Sequence, residues 1–336
     1  MIKDAILELS KRRDLTAEMA EEALNEIMTG AATPVQMSAY LTALSLKGES
    51  ITEITASAKA MRTHCVRLLH EIDALEIVGT GGDGANTFNI STAAAMIVAA
   101  AGIPVAKHGN RSASGKCGAA DVLETLGVKI DISPEKSAEL LSEIGICFLF
   151  AQNYHIAMKH VAPIRHELGI RTVFNVLGPL TNPAGAKMQL LGVYDRKLVE
   201  PLAKVMRNLG VKSAMVVHGE DGLDEISLSA PTFVCEVKDG WIRSYTITPE
   251  QFGFERCTKD DLRGGSPSEN AVILKAILKG ERGAKRNAAI LNAAAALFVT
   301  GRYESIEAAV KIANDVIDSG KAYEKLDAFI RFSNEK

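Results

Sequence analysis

The sequence predicts an α/β protein in which a small N-terminal helical domain precedes a larger domain built on a central, mostly parallel sheet. Residues 1–65 carry apolar positions at helical spacing and no convincing strand. From Leu75 the rhythm changes to short apolar runs separated by glycine turns and helical stretches, the βαβα alternation of a parallel sheet. The 336 residues also exceed the roughly 250–300 at which one hydrophobic core stops growing, so two domains are expected.

Met1-Ile-Lys-Asp opens directly into Glu-bearing helical sequence, without the apolar core and small-residue cleavage site of a secretory signal. Ala20, Ala23, Leu24, Ile27 and Met28 recur at i, i+3, i+4, i+7 and i+8 between Thr16, a capping residue, and Gly30, a stop. Met37, Tyr40, Leu41 and Leu44 repeat the pattern between Pro34 and Gly48, and 52–61 reads as a further helix. Buried-strand candidates follow at 76–78, 103–106, 146–150, 188–193 and 214–217. Runs 233–237 and 241–246 flank Asp239-Gly240 as a hairpin. Helices are expected at 92–101, 120–126, 154–168 and the Ala-rich 286–298.

Composition narrows the function classes. A hydrophobic fraction of 47% excludes a disordered chain. With 38 Lys and Arg against 41 Asp and Glu, the net charge of −3 lacks the basic excess of a nucleic-acid binder, so any anion site is local. The longest nearly apolar stretch, 93–106, is broken by Gly102 and Pro104 and falls short of the ~20 residues a membrane span needs. Five cysteines, never spaced C-x-x-C, suggest neither a disulfide framework nor a zinc knuckle and fit a reducing cytoplasm.

Three loops carry the chemistry. Gly79-Thr-Gly-Gly-Asp83-Gly follows the first strand, and Asn86-Thr-Phe-Asn-Ile-Ser-Thr92 leads into a helix. Glycines let backbone approach an anion, and a helix N-terminus adds free N–H groups, so this reads as a phosphate cradle; alone it also fits a tight turn. It is neither the G-x-G-x-x-G fingerprint nor a P-loop. Lys107-His-Gly-Asn-Arg-Ser-Ala-Ser-Gly-Lys-Cys-Gly-Ala-Ala-Asp121 follows the second strand and gathers cations, hydroxyls and glycines; the alternative is a solvated basic loop. Its place beyond a strand's carboxyl end favours a ligand site. In His218-Gly-Glu-Asp-Gly-Leu-Asp-Glu225, adjacent carboxylates beside a phosphate suit Mg²⁺, although surface Asp-Glu pairs are common.

In order, G-T-G-G-D (79–83), N-x-S-T (89–92), K-H-G-N-R (107–111), F-N-x-L-G-P-L-x-N-P (174–183) and D-E (224–225) resemble the anthranilate phosphoribosyltransferase family over nearly the whole chain. The resemblance implies attack of anthranilate's amine on C1 of phosphoribosyl pyrophosphate (PRPP), releasing pyrophosphate. It implies the fold shared with pyrimidine nucleoside phosphorylases, a homodimer through the small domain, and a hinge at 174–183. Domains are expected at 1–65 and 75–336, with 164–185 contributing again to the small one.

Carried over, Gly79, Gly82, Asp83, Thr87, Asn89, Ile90, Ser91, Thr92, Lys107, Arg111, Ser114, Gly115 and Ala119 would bind PRPP. Ser91, Asp224 and Glu225 would hold magnesium, as two ions, and Lys107, Asp224 and Glu225 would serve the leaving group. Gly79, His108, Asn110, Arg165 and Gly178 would face anthranilate, Arg165 through its planar fork of donors. For Arg165 a helix surface charge remains open, and for His108 a loop donor. The family often reads S-S-K-S-G-S where this chain has Ser114-Gly-Lys-Cys-Gly-Ala119, so three hydroxyls are absent, and backbone N–H groups at Gly115 and Gly118 are expected to replace them. A nucleoside phosphorylase would give no reason for the Asp224-Glu225 pair, and a nucleic-acid-binding relative would have a basic groove and no K-H-G-N.

Overall fold

Helices α1 (Ile2–Ser10), α2 (Ala17–Met28), α3 (Pro34–Lys47) and α4 (Ile51–Thr63) open the chain, in a computed structural model that describes residues 1–112 and 115–335. The starts of α2, α3 and α4 are chemically marked. Thr16 accepts the Met19 N–H, and reciprocal capping boxes join Thr33 to Gln36 and Ser50 to Glu53. The expected apolar stripes of α2 and α3 are buried.

Strands β1 (Leu75–Gly79), β2 (Val105–Gly109), β3 (Ile146–Phe150), β4 (Met188–Gly192), β5 (Ser213–Gly219), β6 (Thr232–Lys238) and β7 (Trp241–Ile247) form one sheet in the order β3-β2-β1-β4-β5-β6-β7. The first five pair in parallel, and β6 and β7 add an antiparallel hairpin. Asp239 and Gly240 both have positive φ (47° and 86°), the two-residue turn their sequence announces. The second strand begins two residues later than expected, because Pro104 has no N–H for the ladder; its carbonyl instead accepts the Leu75 N–H.

Side chains alternate between two cores. Met215 and Val217 join α5 (Ile90–Ala100) and α13 (Ala284–Val299) on one face, which α14 (Ile306–Asp318) and α15 (Lys321–Asn334) also cover. Ala214 and Val216 join α11 (Val199–Asn208) on the other face, in a cluster that runs unbroken into α2–α4. The helical unit therefore shares its core with the sheet. The run 154–168 is not one helix: α8 (Ala151–Tyr154), a 3₁₀ turn (Ile156–His160) and α9 (Ala162–Leu168) replace it, and Pro163 falls in the first turn of α9, where its missing N–H costs nothing. Between the second and third strands lie α6 (Ala119–Leu126) and α7 (Pro134–Glu143).

The segment α10 (Phe174–Leu177) and its 3₁₀ extension (Gly178–Leu180) bury Phe174, Val176 and Leu177 in the same cluster as the N-terminal helices. Polar bonds pin it to the sheet: Asn182 donates to the Ala106 carbonyl (2.9 Å), Gln189 to Pro179 (2.8 Å) and Arg62 of α4 to Leu180 (2.8 Å).

Glu53 anchors the helical unit. Its fully buried carboxylate accepts N–H groups of Leu15 (2.9 Å) and Ser50 (2.7 Å) and pairs with Lys47 at 2.8 Å. Lys47→Met would leave that charge buried without its cation, so unfolding in urea is expected to cost about 3 kcal/mol less than in the wild type. Adding Glu53→Gln should recover part of the loss; a single variant as stable as wild type would show the pair to be dispensable.

Candidate active site

β1 and β4 end in directly paired glycines, Gly79 and Gly192, and the loop after β5 lies across them. A Cβ on Gly79 would strike the Asp224 carboxylate, and one on Gly192 the Asp224 carbonyl. Neither glycine has positive φ, so close approach is what requires them. Beyond Gly79, positive φ at Gly81, Gly82, Gly84 and Asn86 curls the loop back, and the Gly81 N–H donates to Asp224 Oδ2 at 2.6 Å.

Glu225 Oε1 accepts the Ser91 N–H in the first turn of α5 (3.1 Å), and Ser91 Oγ accepts from Lys107 Nζ (3.1 Å), which also donates to the Ile77 carbonyl (2.7 Å). The three loops thus bring Ser91, Lys107, Asp224 and Glu225 together, with Asp83 facing Asp224. Lys107 is only 3% exposed, so it lies beneath this cluster. Burial, then the neighbouring Asp83 charge, pushes the Asp224 carboxyl above the usual range; burial and Asp224 do the same to Glu225. Burial pulls the Lys107 ammonium down, against Glu225, Glu76 and Asp224.

Two features missed in the sequence hold these loops. Asn292, fully buried on α13, brackets Ile226: its Oδ1 accepts the Ile226 N–H (3.0 Å) and its Nδ2 donates to the Ile226 carbonyl (2.9 Å), one residue beyond Glu225. Arg171 donates to the Gly82 carbonyl (2.6 Å), stacks 3.9 Å from the Tyr194 ring centroid, and through its own carbonyl accepts the Ser45 hydroxyl of α3 (2.9 Å). A single Arg before F-N-x-L and one of two Asn in an Ala-rich helix carry no pattern of their own.

The remaining candidates divide. Ile90 and Thr92 are buried in the first turn of α5, the Thr92 hydroxyl without a partner among the described residues, while Thr87 bridges to Arg263. Asn89 donates to the Cys117 carbonyl (3.1 Å), tying the first loop to the second. Asn110 is exposed, its Oδ1 accepting the Arg111 N–H. The Arg111 guanidinium is paired with Asp121 (3.1 Å) and Glu124 (2.8 Å). Gly115 is exposed and Ala119 begins α6; Ser114 lies outside the described residues. The Gly118 N–H, expected to face phosphate, donates instead to Asp121 Oδ2 (2.8 Å), the residue that also takes the Ser112 N–H.

His108 Nδ1 stands 3.2 Å from the Gly178 carbonyl, so two of the residues assigned to anthranilate meet. Facing a carbonyl, Nδ1 carries the proton, which leaves Nε2, buried and without a partner among the described residues, as an acceptor. His155, unanticipated, packs its ring 5.0 Å away. Arg165 on α9 lies over the Phe174 ring at 5.2 Å and forms no ion pair among the described residues. Burial lowers its pKa, the condition of a half-buried cation that gains from an anionic partner.

Among the described residues no three His, Cys, Asp or Glu side chains stand close enough to hold a metal by themselves. Two buried carboxylates held above their normal pKa, with a serine hydroxyl between them and the lysine, still suit Mg²⁺, which keeps water and substrate phosphate in its shell.

Residues 3–65 match the helical bundle domain, and 71–323 the a/b domain, of the glycosyl transferase family. The anthranilate phosphoribosyltransferase of Methanobrevibacter smithii is 63% identical over 99% of this chain and all of its own, and that of Lachnoclostridium phytofermentans 60% over the whole of both. This chain belongs to the anthranilate phosphoribosyltransferase family. The crystal structure of the Thermus thermophilus member superposes with a TM-score of 0.94 at 44% identity, covering 99% of this chain and all of that one. The Saccharomyces cerevisiae member in complex with PRPP and Mg superposes at 0.90 with 29% identity, over 99% and 97% of the two chains. The fold expected from the sequence, a helical unit before a mostly parallel α/β sheet, is that of the family.

Burial holds His108 down to about 3 and His155 to about 4, so both rings stay neutral until the solution is well below their normal pKa. Their ring resonances are expected to hold constant from about pH 8 to about pH 5. A midpoint near 6.5 for His108 would mean that its ring is open to water.

Proposed function

We infer that this chain transfers the phosphoribosyl group of PRPP to the amine of anthranilate, giving N-(5-phosphoribosyl)anthranilate and pyrophosphate in tryptophan biosynthesis. What carries the reading is identity of 60% and more to anthranilate phosphoribosyltransferases over full length, together with the convergence of both glycine loops on the Asp224-Glu225 pair. The yeast relative is recorded with PRPP and Mg and with 4-fluoroanthranilate, which supports the same two substrates and Mg²⁺ here.

In the reaction the amine lone pair forms the N–C1 bond, the C1–O bonding pair departs with pyrophosphate, and the nitrogen sheds a proton. The ribose gains oxocarbenium character while negative charge collects on the leaving group. Asp224, Glu225 and the Ser91 hydroxyl would hold Mg²⁺, as two ions. Held there, Mg²⁺ would supply charge to neutralise and orient the diphosphate. Lys107, below the cluster, fixes the Ser91 hydroxyl and balances the carboxylates instead of reaching the leaving group itself. Gly79, Gly82 and Asp83 line the loop that would receive the donor. The aromatic amine is neutral near pH 7, so no strong base is needed and orientation dominates. Arg165 would take the anthranilate carboxylate and His108 Nε2 an amine N–H, with Gly178 fixing the imidazole's tautomer.

The domain division falls in 66–74, where Val66 and Leu68 donate to the carbonyls of Tyr154 and Pro183. Apolar side chains exposed on α1 and α3, Leu7, Val35 and Leu46, support a homodimer through the helical unit. Five unpaired cysteines support a reducing cytoplasm.

Disappearance of anthranilate fluorescence on mixing with PRPP and Mg²⁺ tests the activity directly. The double variant Asp224→Ala/Glu225→Ala should lose about 10³-fold or more in kcat/KM; full activity in EDTA would reject the metal assignment. A carboxylate binds a proton or the cation, not both, so Mg²⁺ affinity by calorimetry should rise from about pH 6 to about pH 8 with proton release on binding. Arg165→Ala should raise KM for anthranilate about 10- to 100-fold and leave KM for PRPP nearly unchanged; the opposite split would move Arg165 out of the acceptor site.

A further inference from the structure

The segment 262–270 packs behind the first glycine loop. Phe88 donates to the Leu262 carbonyl (3.0 Å), Gly264 donates to the Asn86 carbonyl (2.9 Å), and Thr87 and Arg263 form an antiparallel bridge between them. Gly264 admits no side chain, because its Cβ would lie 2.7 Å from Phe88 Cα. The segment then enters α12 (Pro267–Leu278), capped by Ser266. Asn270, 1% exposed on the first turns of α12, reaches back toward the loops.

Its Oδ1 accepts the Gly265 N–H (2.8 Å), and its Nδ2 donates to Asn89 Oδ1 (3.0 Å). Asn89 in turn donates through Nδ2 to the Cys117 carbonyl in the second loop (3.1 Å). Neither amide is free to turn over. The Gly265 N–H can only donate and the Cys117 carbonyl can only accept, so the two ends of the chain dictate both orientations. Reversing either amide would set oxygen against oxygen or N–H against N–H.

We propose that Asn270 is a positioning residue that sets the spacing of the two glycine-rich loops through the side chain of Asn89. Asn89 has both ends of its amide engaged within the protein, so it meets the donor through its backbone and serves as the link in a strut from α12 to Cys117. A donor that meets both loops needs them at one separation before binding, since ordering them on binding subtracts from affinity. The strut supplies that separation from a rigid helix.

The proposal rests on PRPP as the donor, and PRPP binding to the wild-type protein with Mg²⁺, read by calorimetry, tests that reading by itself. The strut is tested by comparing variants. Asn270→Asp keeps the shape and the acceptor for Gly265 but cannot donate to Asn89. It should weaken PRPP about tenfold and leave KM for anthranilate at saturating PRPP unchanged. Amide exchange around Cys117 should quicken while α12 stays protected. Asn89→Ala should weaken PRPP similarly, and Asn89→Ala/Asn270→Asp should be no weaker than the poorer single variant, because each removes the same strut. Wild-type PRPP affinity in Asn270→Asp, losses that multiply in the double variant, or opening of α12 in place of the loop would each overturn the proposal; the last would make Asn270 a helix anchor only.

Discussion

The site depends on one close approach: the Asp224 backbone lying across the ends of β1 and β4. Two paired glycines leave the space, and the Gly81 N–H closes the contact from above. Because the sheet ends there without side chains, an acidic loop can enter where a larger residue would have capped the core. The energetic cost is burial of two carboxylates, which their raised proton affinity records. Lys107 offsets part of it from below, and a divalent cation with a diphosphate would offset the rest.

Much of this was legible in the sequence. The strands at 146–150 and 188–192, the hairpin around Asp239-Gly240 and the capped helices of the N-terminal unit follow from local patterns, and the structure places each within a residue or two. The three loops were legible for a different reason, since glycine, carboxylate and lysine types keep their chemistry wherever they fall. What escaped was what depends on partners distant in sequence. Lys107 reads as a cation for phosphate until its strand position turns it inward onto Ser91. Gly118 reads as an anion donor until Asp121, three residues on, takes its N–H. Arg171, Asn270 and Asn292 act through single side-chain contacts, which leave no periodicity to read.

The layer between segment 174–183 and the sheet is polar where an apolar core would be ordinary. Glu76 and Gln189 face each other across β1 and β4, Asn182 and Arg62 hold carbonyls of the opposing backbone, and His108 does the same at Gly178. Burial pushes the Glu76 carboxyl up to about 8 against the pull of Asn182 and Lys107, so it is largely neutral near pH 7. Hydrogen bonds to named carbonyls specify one register for this segment, which apolar packing alone would leave free to slide.

The clamp that Asn292 places on Ile226 spans 66 residues, and the contact from Asn270 to Asn89 spans 181. A chain leaves the ribosome N-terminus first, and its early segments begin to fold while later ones are still being made. The glycine loops and the acidic loop therefore emerge well before the helices that fix them. Until α12 and α13 have been synthesised, the glycine loops and the carboxylate pair lack their far-side supports. The arrangement of these loops is therefore completed late, so a nascent chain holds their glycines and carboxylates well before it holds the side chains that fix their spacing.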